Sequence, residues 1–290
     1  MVSKQTLIGV ALAIAALTVQ AECLTDAQTS ELVANWLAKT PAANPEGLSE
    51  ADAVCSRAKF NAQLGQKLGK VIGYKAGLTN PAVQKRFNAT EPVWGKLYEG
   101  MVLADGAVVD AAFGARPLFE ADMLVRVKSE AINQAKTPME VLLLIDQIIP
   151  FIELPDLVVQ APPRLNGNAV TAINVGARLG VAGKPIPVTN ALTRAEVYAL
   201  HDGLRDMVVT LADGNGATLG QGKGSDILDH PLNAVVYLAQ ALAREGLAMK
   251  TGDLISLGSF SPLLPPKPGL KASVSYSGLP GAQPVSVTFK

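Results

Sequence analysis

The sequence lacks features that would assign the protein to several common functional classes. Lysine plus arginine equals aspartate plus glutamate at 25 each, and no run of basic residues alternates with aromatic ones. Nucleic-acid binding is therefore not indicated. The glycines Gly220, Gly222 and Gly224 are followed neither by a Lys-Ser or Lys-Thr pair nor by dinucleotide-binding spacing. They predict the ends of strands rather than a phosphate-binding loop.

Cysteine and histidine are also scarce, which limits the available nucleophiles and metal ligands. The chain has 2 cysteines and 2 histidines, and neither Cys23 nor Cys55 has a histidine nearby in sequence. Cysteine-based nucleophilic catalysis is therefore not indicated. In an oxidising compartment a disulfide between them would stabilise the fold by about 3 to 4 kcal/mol. Two unrelated thiols are the alternative.

The N-terminus has the pattern of a secretory signal peptide. Lys4 precedes the apolar run 7–19, and the run ends in Val-Gln-Ala, which places small residues where a signal peptidase cleaves. The run is too short to span a bilayer comfortably. We therefore expect residues 1–21 to be removed, leaving a periplasmic or secreted protein without a stable membrane anchor. A lipoprotein processed at Cys23 is less favoured, because Glu22 before it is not a small residue.

The predicted elements place helices first and strands later. Capping-box patterns at Thr25 and Ser49 begin two helices, which form a small helical lead-in over residues 22–70. Residues 71–290 are rich in predicted strands, with no internal repeat and no long linker. This segregation predicts an α+β fold with one large sheet system. Further predictions are a strand over 71–78, a helix over 141–146, a strand from Arg205 to Leu211, and the longest helix beginning at Asp229.

Two acidic strands provide candidate metal ligands. In the predicted strand 118–124, Glu120 and Asp122 lie on one face because side chains alternate, and the other face is wholly apolar. Glu153 lies in an equally apolar strand, 149–156. Carboxylates are costly to bury and repel one another, so one interpretation is a hard divalent cation among them. The other is a solvated strand face without a ligand.

A single lysine marks a further candidate segment. Lys75 is the only charge in the predicted strand 71–78, and Gly73 and Gly77 on either side allow close approach of a backbone or a ligand. On this stretch alone, a lysine that extends from a sheet edge into solvent is an equally good interpretation.

These landmarks, in this order, resemble a known family. The chain is similar, over nearly all of the expected mature protein, to the 2-keto-4-pentenoate hydratase and 2-oxo-enoate decarboxylase branch of the fumarylacetoacetate hydrolase superfamily. The resemblance implies a mixed β-sandwich or barrel with a small N-terminal helical region, assembled into homo-oligomers. The segments that carry it are Gly-Tyr-Lys-Ala-Gly-Leu-Thr at 73–79, Glu-Ala-Asp at 120–122, Ile-Glu-Leu-Pro-Asp at 152–156, Asn-Val-Gly at 174–176, His-Pro-Leu-Asn-Ala-Val at 230–235 and Gly-Asp-Leu-Ile-Ser-Leu-Gly-Ser-Phe at 252–260.

The resemblance also implies the roles of particular residues. Magnesium or manganese would be held by Glu120, Asp122 and Glu153. The middle ligand is usually glutamate in the family, and aspartate is one methylene shorter. Lys75 corresponds to the active-site lysine, with roles in charge stabilisation and proton transfer. Ser259 corresponds to a hydroxyl residue that contacts the substrate carboxylate, and Gly77 is grouped with it as substrate-binding.

The implied function is a metal-dependent lyase of the hydratase type. It would act on a 2-oxo or 2-hydroxydienoate small-molecule acid through a metal-stabilised enolate. Decarboxylation, carbon–carbon hydrolysis, and exported 2-oxo-acid and metal binding without catalysis remain open. Three departures put water activation in doubt more than metal binding. Val93 replaces a frequent acid, Leu157 replaces a polar residue, and the segment 172–176 lacks an acid and a serine.

Overall fold

The computed structural model describes residues 22–290, so the predicted signal peptide lies outside the described residues. Two helices come first, α1 (Asp26–Ala38) and α2 (Glu50–Leu68), and each begins with the predicted capping box. A disulfide joins Cys23 to Cys55, whose Cα atoms are 5.6 Å apart. The segment that precedes α1 is thereby fixed to α2.

The remaining elements are mostly strands, as the sequence predicts. In chain order they are β1 (Val71–Gly77), α3 (Pro81–Arg86), β2 (Val93–Tyr98), β3 (Val102–Ala104), β4 (Ala107–Val109), β5 (Glu120–Val127), α4 (Pro138–Leu143), β6 (Ile145–Leu154), α5 (Gly167–Ala172), β7 (Leu179–Ala182), β8 (Ile186–Pro187), α6 (Arg194–Asp206), β9 (Val208–Asp213), β10 (Thr218–Lys223), α7 (Asn233–Arg244), β11 (Leu254–Ser256), β12 (Lys271–Ser277) and β13 (Val285–Phe289).

The strands form two mixed sheets that share a core. The larger has the order β2-β1-β11-β5-β6-β7-β3, with β8 paired to β6, and the smaller has the order β10-β9-β12-β13-β4. Tyr276 of β12 links the sheets, because its hydroxyl donates to the backbone carbonyls of Asp122 and Phe151. Phe119 and Phe289 pack against each other with ring centroids 5.2 Å apart. The predicted α+β fold is confirmed.

Both faces of β5 are buried, which excludes one of the two interpretations of its acids. Glu120 is 7% exposed and Asp122 is 0% exposed. The solvated strand face is therefore wrong. Among the helices of residues 22–290, none combines the length and the apolar character needed to cross a membrane.

Three predicted element boundaries are wrong. The helix expected over 141–146 begins at Pro138, directly after its N-cap Thr137, and ends at Leu143, before the strand β6. The strand expected from Arg205 begins at Val208, because the buried residues Leu200, Gly203 and Leu204 continue the helical spacing of α6 to Asp206. The helix expected at Asp229 begins at Asn233, because Asp229 has a left-handed φ of 66°.

The expected longest helix and the expected positions of two glycines are also wrong. Of the described helices, α2 is the longest at 19 residues, whereas α7 has 12. Gly220 and Gly222 lie inside β10 rather than at strand ends. A Cβ atom at Gly222 would lie 2.0 Å from the Phe260 carbonyl oxygen, so glycine is needed there for the close approach of two backbones.

Candidate active site

The order of strands in the larger sheet brings the candidate residues together. In the register, Lys75 of β1 is the partner of Ser256 in β11, and Ser256 is the partner of Leu124 in β5. Glu120 is also on β5, and it lies directly opposite Glu153 of the next strand, β6. Side chains on neighbouring strands at matched positions are close in space. The Lys75 side chain reaches the Glu153 carboxylate, and both residues line one cavity with Glu120, although the three are far apart in sequence.

Lys75 and Glu153 form a buried ion pair. The Lys75 ammonium donates to a Glu153 carboxylate oxygen and, at 3.0 Å, to the carbonyl oxygen of Val175. The two residues are 3% and 4% exposed, so water contributes little to their solvation. The lysine is thus held inside the protein, and the interpretation of a lysine that extends into solvent is wrong.

The carbonyl group that accepts from Lys75 belongs to a strained segment. Asn174 and Val175 both have a φ of 55°, which is unfavourable for a β-branched residue such as valine. The Asn174 side chain fixes the segment, because its Oδ1 accepts from the Lys96 amide at 2.7 Å and its Nδ2 donates to the Lys96 carbonyl at 3.0 Å. The strain is thereby stabilised by hydrogen bonds to β2.

Gly77 provides space for this segment. A Cβ atom at position 77 would lie 2.4 Å from Cγ1 of Val175. Any larger side chain would displace Val175, whose carbonyl group binds Lys75. The observed role of Gly77 is therefore to admit Val175 beside the cavity that it lines, and its expected contact with substrate stays a prediction.

Asp122 differs from the other two acids because its carboxylate is engaged by groups of the protein. Its Oδ2 accepts from the Ser256 hydroxyl, and its Oδ1 accepts from the backbone amides of Gly258, at 3.0 Å, and Met123. An ionised carboxylate has about four acceptor positions. Three hydrogen bonds leave roughly one of them, on Oδ2.

Burial and mutual repulsion change the proton affinity of these acids. Burial, followed by the charge of Glu153, raises the pKa of Glu120 well above its usual value, while Lys75 opposes the rise. The same two causes raise the pKa of Asp122 to about 8, and the hydrogen bond from Ser256 opposes that rise. Without a further cation, burial and repulsion thus favour the protonated forms of these two acids near neutral pH, and the single lysine does not reverse this.

A cavity of about 180 Å³ connects most of the candidate residues, and we call it the inner cavity. Its walls include Lys75, Gly77, Glu120, Glu153 and Ser259, whereas Asp122 is not among the lining residues. The Ser259 hydroxyl donates to the carbonyl oxygen of Ser261 at 2.6 Å. The structure therefore brings five of the six predicted site residues to one surface and places the sixth behind it.

The donor chemistry fits a hard divalent cation. Carboxylate oxygens are the ligands such ions prefer, and a cation would stabilise the ionised forms of these buried acids. In the part of the chain that the structure describes, however, no three acidic, histidine or cysteine side chains converge into a ready ion site. The reason is visible in the contacts: Glu153 is paired with Lys75, and Asp122 is bound by Ser256 and Gly258. Glu120 and Glu153 border the cavity, and Asp122 retains an acceptor position.

Sequence reasoning missed three groups that build the site. They are Ser256 and Gly258, which bind Asp122, and the carbonyl group of Val175, which binds Lys75. Ser256 carried a signal, because a serine inside the apolar segment Leu254–Leu257 indicates a buried polar partner. Val175 carried none, since any residue provides a carbonyl oxygen.

Solved structures define the class of fold. The chain superimposes on a putative fumarylacetoacetate isomerase/hydrolase from Oleispira antarctica with a TM-score of 0.52 at 15% identity, over 77% of this chain and 95% of that one. The fold is that of the fumarylacetoacetate hydrolase superfamily. A more similar structure is 4-oxalocrotonate decarboxylase from Pseudomonas putida G7, complexed with magnesium and adipate. Its TM-score is 0.78 at 25% identity, and the match covers 91% of this chain and 97% of that chain.

Curated sequences narrow the resemblance to one branch, although no family model matches the chain. The chain is 27% identical to 4-oxalocrotonate decarboxylase from Pseudomonas putida, over 87% of its own length and 90% of the relative. It is 26% identical to 2-keto-4-pentenoate hydratase 1 from Dechloromonas aromatica (strain RCB), over 72% of its own length and 75% of the relative. The resemblance to the hydratase and decarboxylase branch is confirmed.

Proposed function

We propose that the protein is a divalent-metal-dependent lyase of the hydratase type that acts on a 2-oxo or 2-hydroxydienoate small-molecule acid. The observation that carries this proposal is the buried Lys75–Glu153 pair, placed opposite Glu120 on the wall of a cavity. Relatives named hydratases of 2-keto-4-pentenoate and of 2-hydroxyhexa-2,4-dienoate support it. The magnesium complex of a similar structure supports the cofactor.

We assign magnesium or manganese to Glu120, Asp122 and Glu153. When bound, the cation supplies Lewis-acid polarisation of the 2-oxo acid and stabilises negative charge on its oxygens. The protein contributes the charge that retains the ion, since burial leaves these carboxylates poorly solvated. Glu153 would exchange part of its contact with Lys75 for the ion, and Asp122 would use the acceptor position left on its Oδ2.

Lys75 holds the mobile proton in this proposal. Its ammonium lies on the cavity wall beside Glu153, where it can donate to, or after deprotonation accept from, the carbon chain of a bound 2-oxo acid. The Val175 carbonyl group accepts a hydrogen bond from the Lys75 ammonium and so fixes the orientation of the side chain. Ser259 can redirect its hydroxyl from the Ser261 carbonyl to the substrate carboxylate. Gly77 keeps the wall open beside Lys75.

The water-activating group expected of a hydratase is not provided by residue 93. Val93 lies half-buried in β2 and lines a different, larger cavity of about 700 Å³. In this proposal, hydration relies on Lys75 and the acids of the inner cavity. The test is the absorbance loss of 2-hydroxypenta-2,4-dienoate with and without magnesium, followed by identification of the product by NMR. Magnesium-dependent formation of the 4-hydroxy-2-oxo acid supports the proposal. An unchanged dienoate, or a product that has lost carbon dioxide, contradicts it.

We further propose that the mature protein is exported to the periplasm or secreted, and that it assembles into homo-oligomers. The signal-peptide pattern of residues 1–21 supports export, and the Cys23–Cys55 disulfide is typical of oxidising compartments. Expression of the full chain in a Gram-negative host should yield periplasmic protein that begins at Glu22. Light scattering on that protein should give a mass that is a multiple of the protomer's.

A further inference from the structure

The side chain of Asn61 lies outside the inner cavity but is connected to Lys75 by hydrogen bonds. Asn61 is on the buried side of α2 and does not line the cavity. Its Nδ2 donates to Oδ1 of Asn174 at 3.0 Å. Asn174 is followed by Val175, whose carbonyl oxygen accepts from the Lys75 ammonium at 3.0 Å. Helix α2 therefore contacts the segment that holds the lysine.

Tyr98 of β2 fixes the orientation of the Asn61 amide. The buried Tyr98 hydroxyl donates to Oδ1 of Asn61 at 2.9 Å. The oxygen of a side-chain amide only accepts and its nitrogen only donates, so this bond directs Nδ2 toward Asn174. One turn earlier in α2, Arg57 donates to the carbonyl oxygen of Trp94 at 3.1 Å. Asn61 is thus held in one position against the sheet.

The Asn174 amide uses the hydrogen bond from Asn61 to complete its own set. Its Oδ1 accepts from Asn61 and from the Lys96 backbone amide, which fills both acceptor positions of a carbonyl-type oxygen. Its Nδ2 donates to the Lys96 backbone carbonyl. Asn174 is fully buried, so water does not replace a lost partner. Removing the Asn61 donor would leave a buried acceptor half-satisfied.

These bonds matter because the backbone that they hold is unfavourable. Val175 has φ 55° and ψ 32°, a left-handed conformation that asparagine tolerates and a β-branched residue does not. The peptide group is planar, so the direction of its carbonyl oxygen follows from the φ and ψ angles beside it. An extended backbone at Asn174 and Val175 would turn the Val175 oxygen away from Lys75. Gly95 of β2 admits the segment, since a Cβ atom there would lie 2.5 Å from the Asn174 carbonyl oxygen.

We infer that Asn61 is a positioning residue, which acts through Asn174 and Val175 to orient the Lys75 ammonium for proton transfer. This inference rests on the proposed function, because it assumes that Lys75 moves the proton. It adds a role in turnover for α2, a helix of the N-terminal region. Neither Asn61 nor Tyr98 lines the inner cavity, so a loss of either contact should lower kcat and leave KM nearly unchanged.

The test measures kcat and KM for 2-hydroxypenta-2,4-dienoate in the presence of magnesium. Asn61→Leu keeps the approximate volume of the side chain and removes the donor to Asn174. Its kcat should fall about 10-fold, and its KM should stay within about 2-fold of the wild-type value. Tyr98→Phe keeps the donor but frees the amide to rotate, so its kcat should fall about 3-fold. If Asn61→Leu does not fold, the result for Tyr98→Phe decides.

A second measurement asks whether the effect passes through Lys75. In a Lys75→Met background, adding Asn61→Leu should leave the residual turnover unchanged, because the group that Asn61 orients is absent. A purely structural role would lower turnover by the same factor in both backgrounds. That result would overturn the inference.

The matched control is Ser56→Ala on the same helix. The buried Ser56 hydroxyl accepts from the Leu24 amide at 2.9 Å and donates to the Asp52 carbonyl at 2.6 Å, and neither bond involves Asn174. This variant should lose thermal stability but retain the wild-type kcat. A wild-type kcat in folded Asn61→Leu and in Tyr98→Phe would overturn the inference and leave the proposed function intact. If the wild-type protein does not turn over the dienoate with magnesium, the proposed function fails and this inference fails with it.

Discussion

The ammonium group of Lys75 is paired with the carboxylate of Glu153, and both side chains are almost completely buried. Glu153 also lies opposite Glu120, so a single ammonium faces two carboxylates. Burying such a pair costs desolvation free energy that apolar residues of similar volume would avoid. Its position on a cavity wall therefore indicates a requirement of the site rather than of the fold.

Replacement of Lys75 by methionine should separate metal binding from proton transfer. Lys75→Met keeps the length of the side chain and removes the ammonium group that competes for Glu153. Turnover of a 2-hydroxydienoate should fall by about 10²- to 10⁴-fold, the usual contribution of a general acid or base. Magnesium affinity, measured by calorimetry, should stay equal or increase. Lys96→Met, on the adjacent strand β2, is the control and should retain turnover. A Lys75→Met variant with wild-type turnover would show that the lysine has no part in the chemistry.

The hydrogen bond between Asp122 and Ser256 should be measurable as a coupling energy. Asp122→Ala leaves two buried donors, the Ser256 hydroxyl and the Gly258 amide, without their acceptor. Each unsatisfied donor costs about 1 to 3 kcal/mol. In a double-mutant cycle with Ser256→Ala, urea unfolding should give a coupling of about 1 to 3 kcal/mol between the two sites. Strictly additive losses of stability would show that Ser256 does not hold Asp122.

His230 should make the fold sensitive to acid. Burial, as the largest cause, lowers the pKa of His230 from 6.5 to about 4, and His201, Arg205 and Asp202 contribute smaller effects. The unfolded chain therefore binds more protons than the folded protein between those two pH values, so stability is lost as the pH falls through this window. The free energy of unfolding should decrease by about 1 kcal/mol per pH unit from this group.

The control for this effect is His230→Asn. The variant lacks the titrating ring but keeps a side-chain oxygen that can accept from the Leu232 amide, as His230 Nδ1 does at 3.1 Å. Denaturant unfolding at several pH values should show a shallower dependence for the variant between pH 6.5 and 4. Parallel curves for the two proteins would mean that His230 is not the source of the acid sensitivity.

Local patterns in the sequence predicted the elements that carry the site. Alternation of side chains placed Glu120 and Asp122 together on β5, and the capping boxes at Thr25 and Ser49 predicted the first two helices. These succeeded because the signals depend on residues two to four positions apart. The boundary at Arg205 was wrong because helical and alternating patterns overlap there, and the packing of α6 decides which one continues.

The partners of each charged group could not be predicted in the same way. Asp122 is held by residues 134 and 136 positions away, and Lys75 by a carbonyl group 100 positions away. These contacts depend on the order of strands in the sheet and on the left-handed backbone of Val175. The resemblance to a family indicated which residues would meet. It did not indicate that the shorter Asp122 would be engaged by the protein itself.

The most direct test of the central claim is calorimetric magnesium titration of Glu153→Ala, followed by its turnover of 2-hydroxypenta-2,4-dienoate. Removing this carboxylate deletes a proposed ligand and the partner of Lys75 in one step. The account predicts that magnesium binding and dienoate turnover are both abolished while the protein stays folded by circular dichroism. A folded Glu153→Ala protein that turns over the dienoate at an undiminished rate would contradict it.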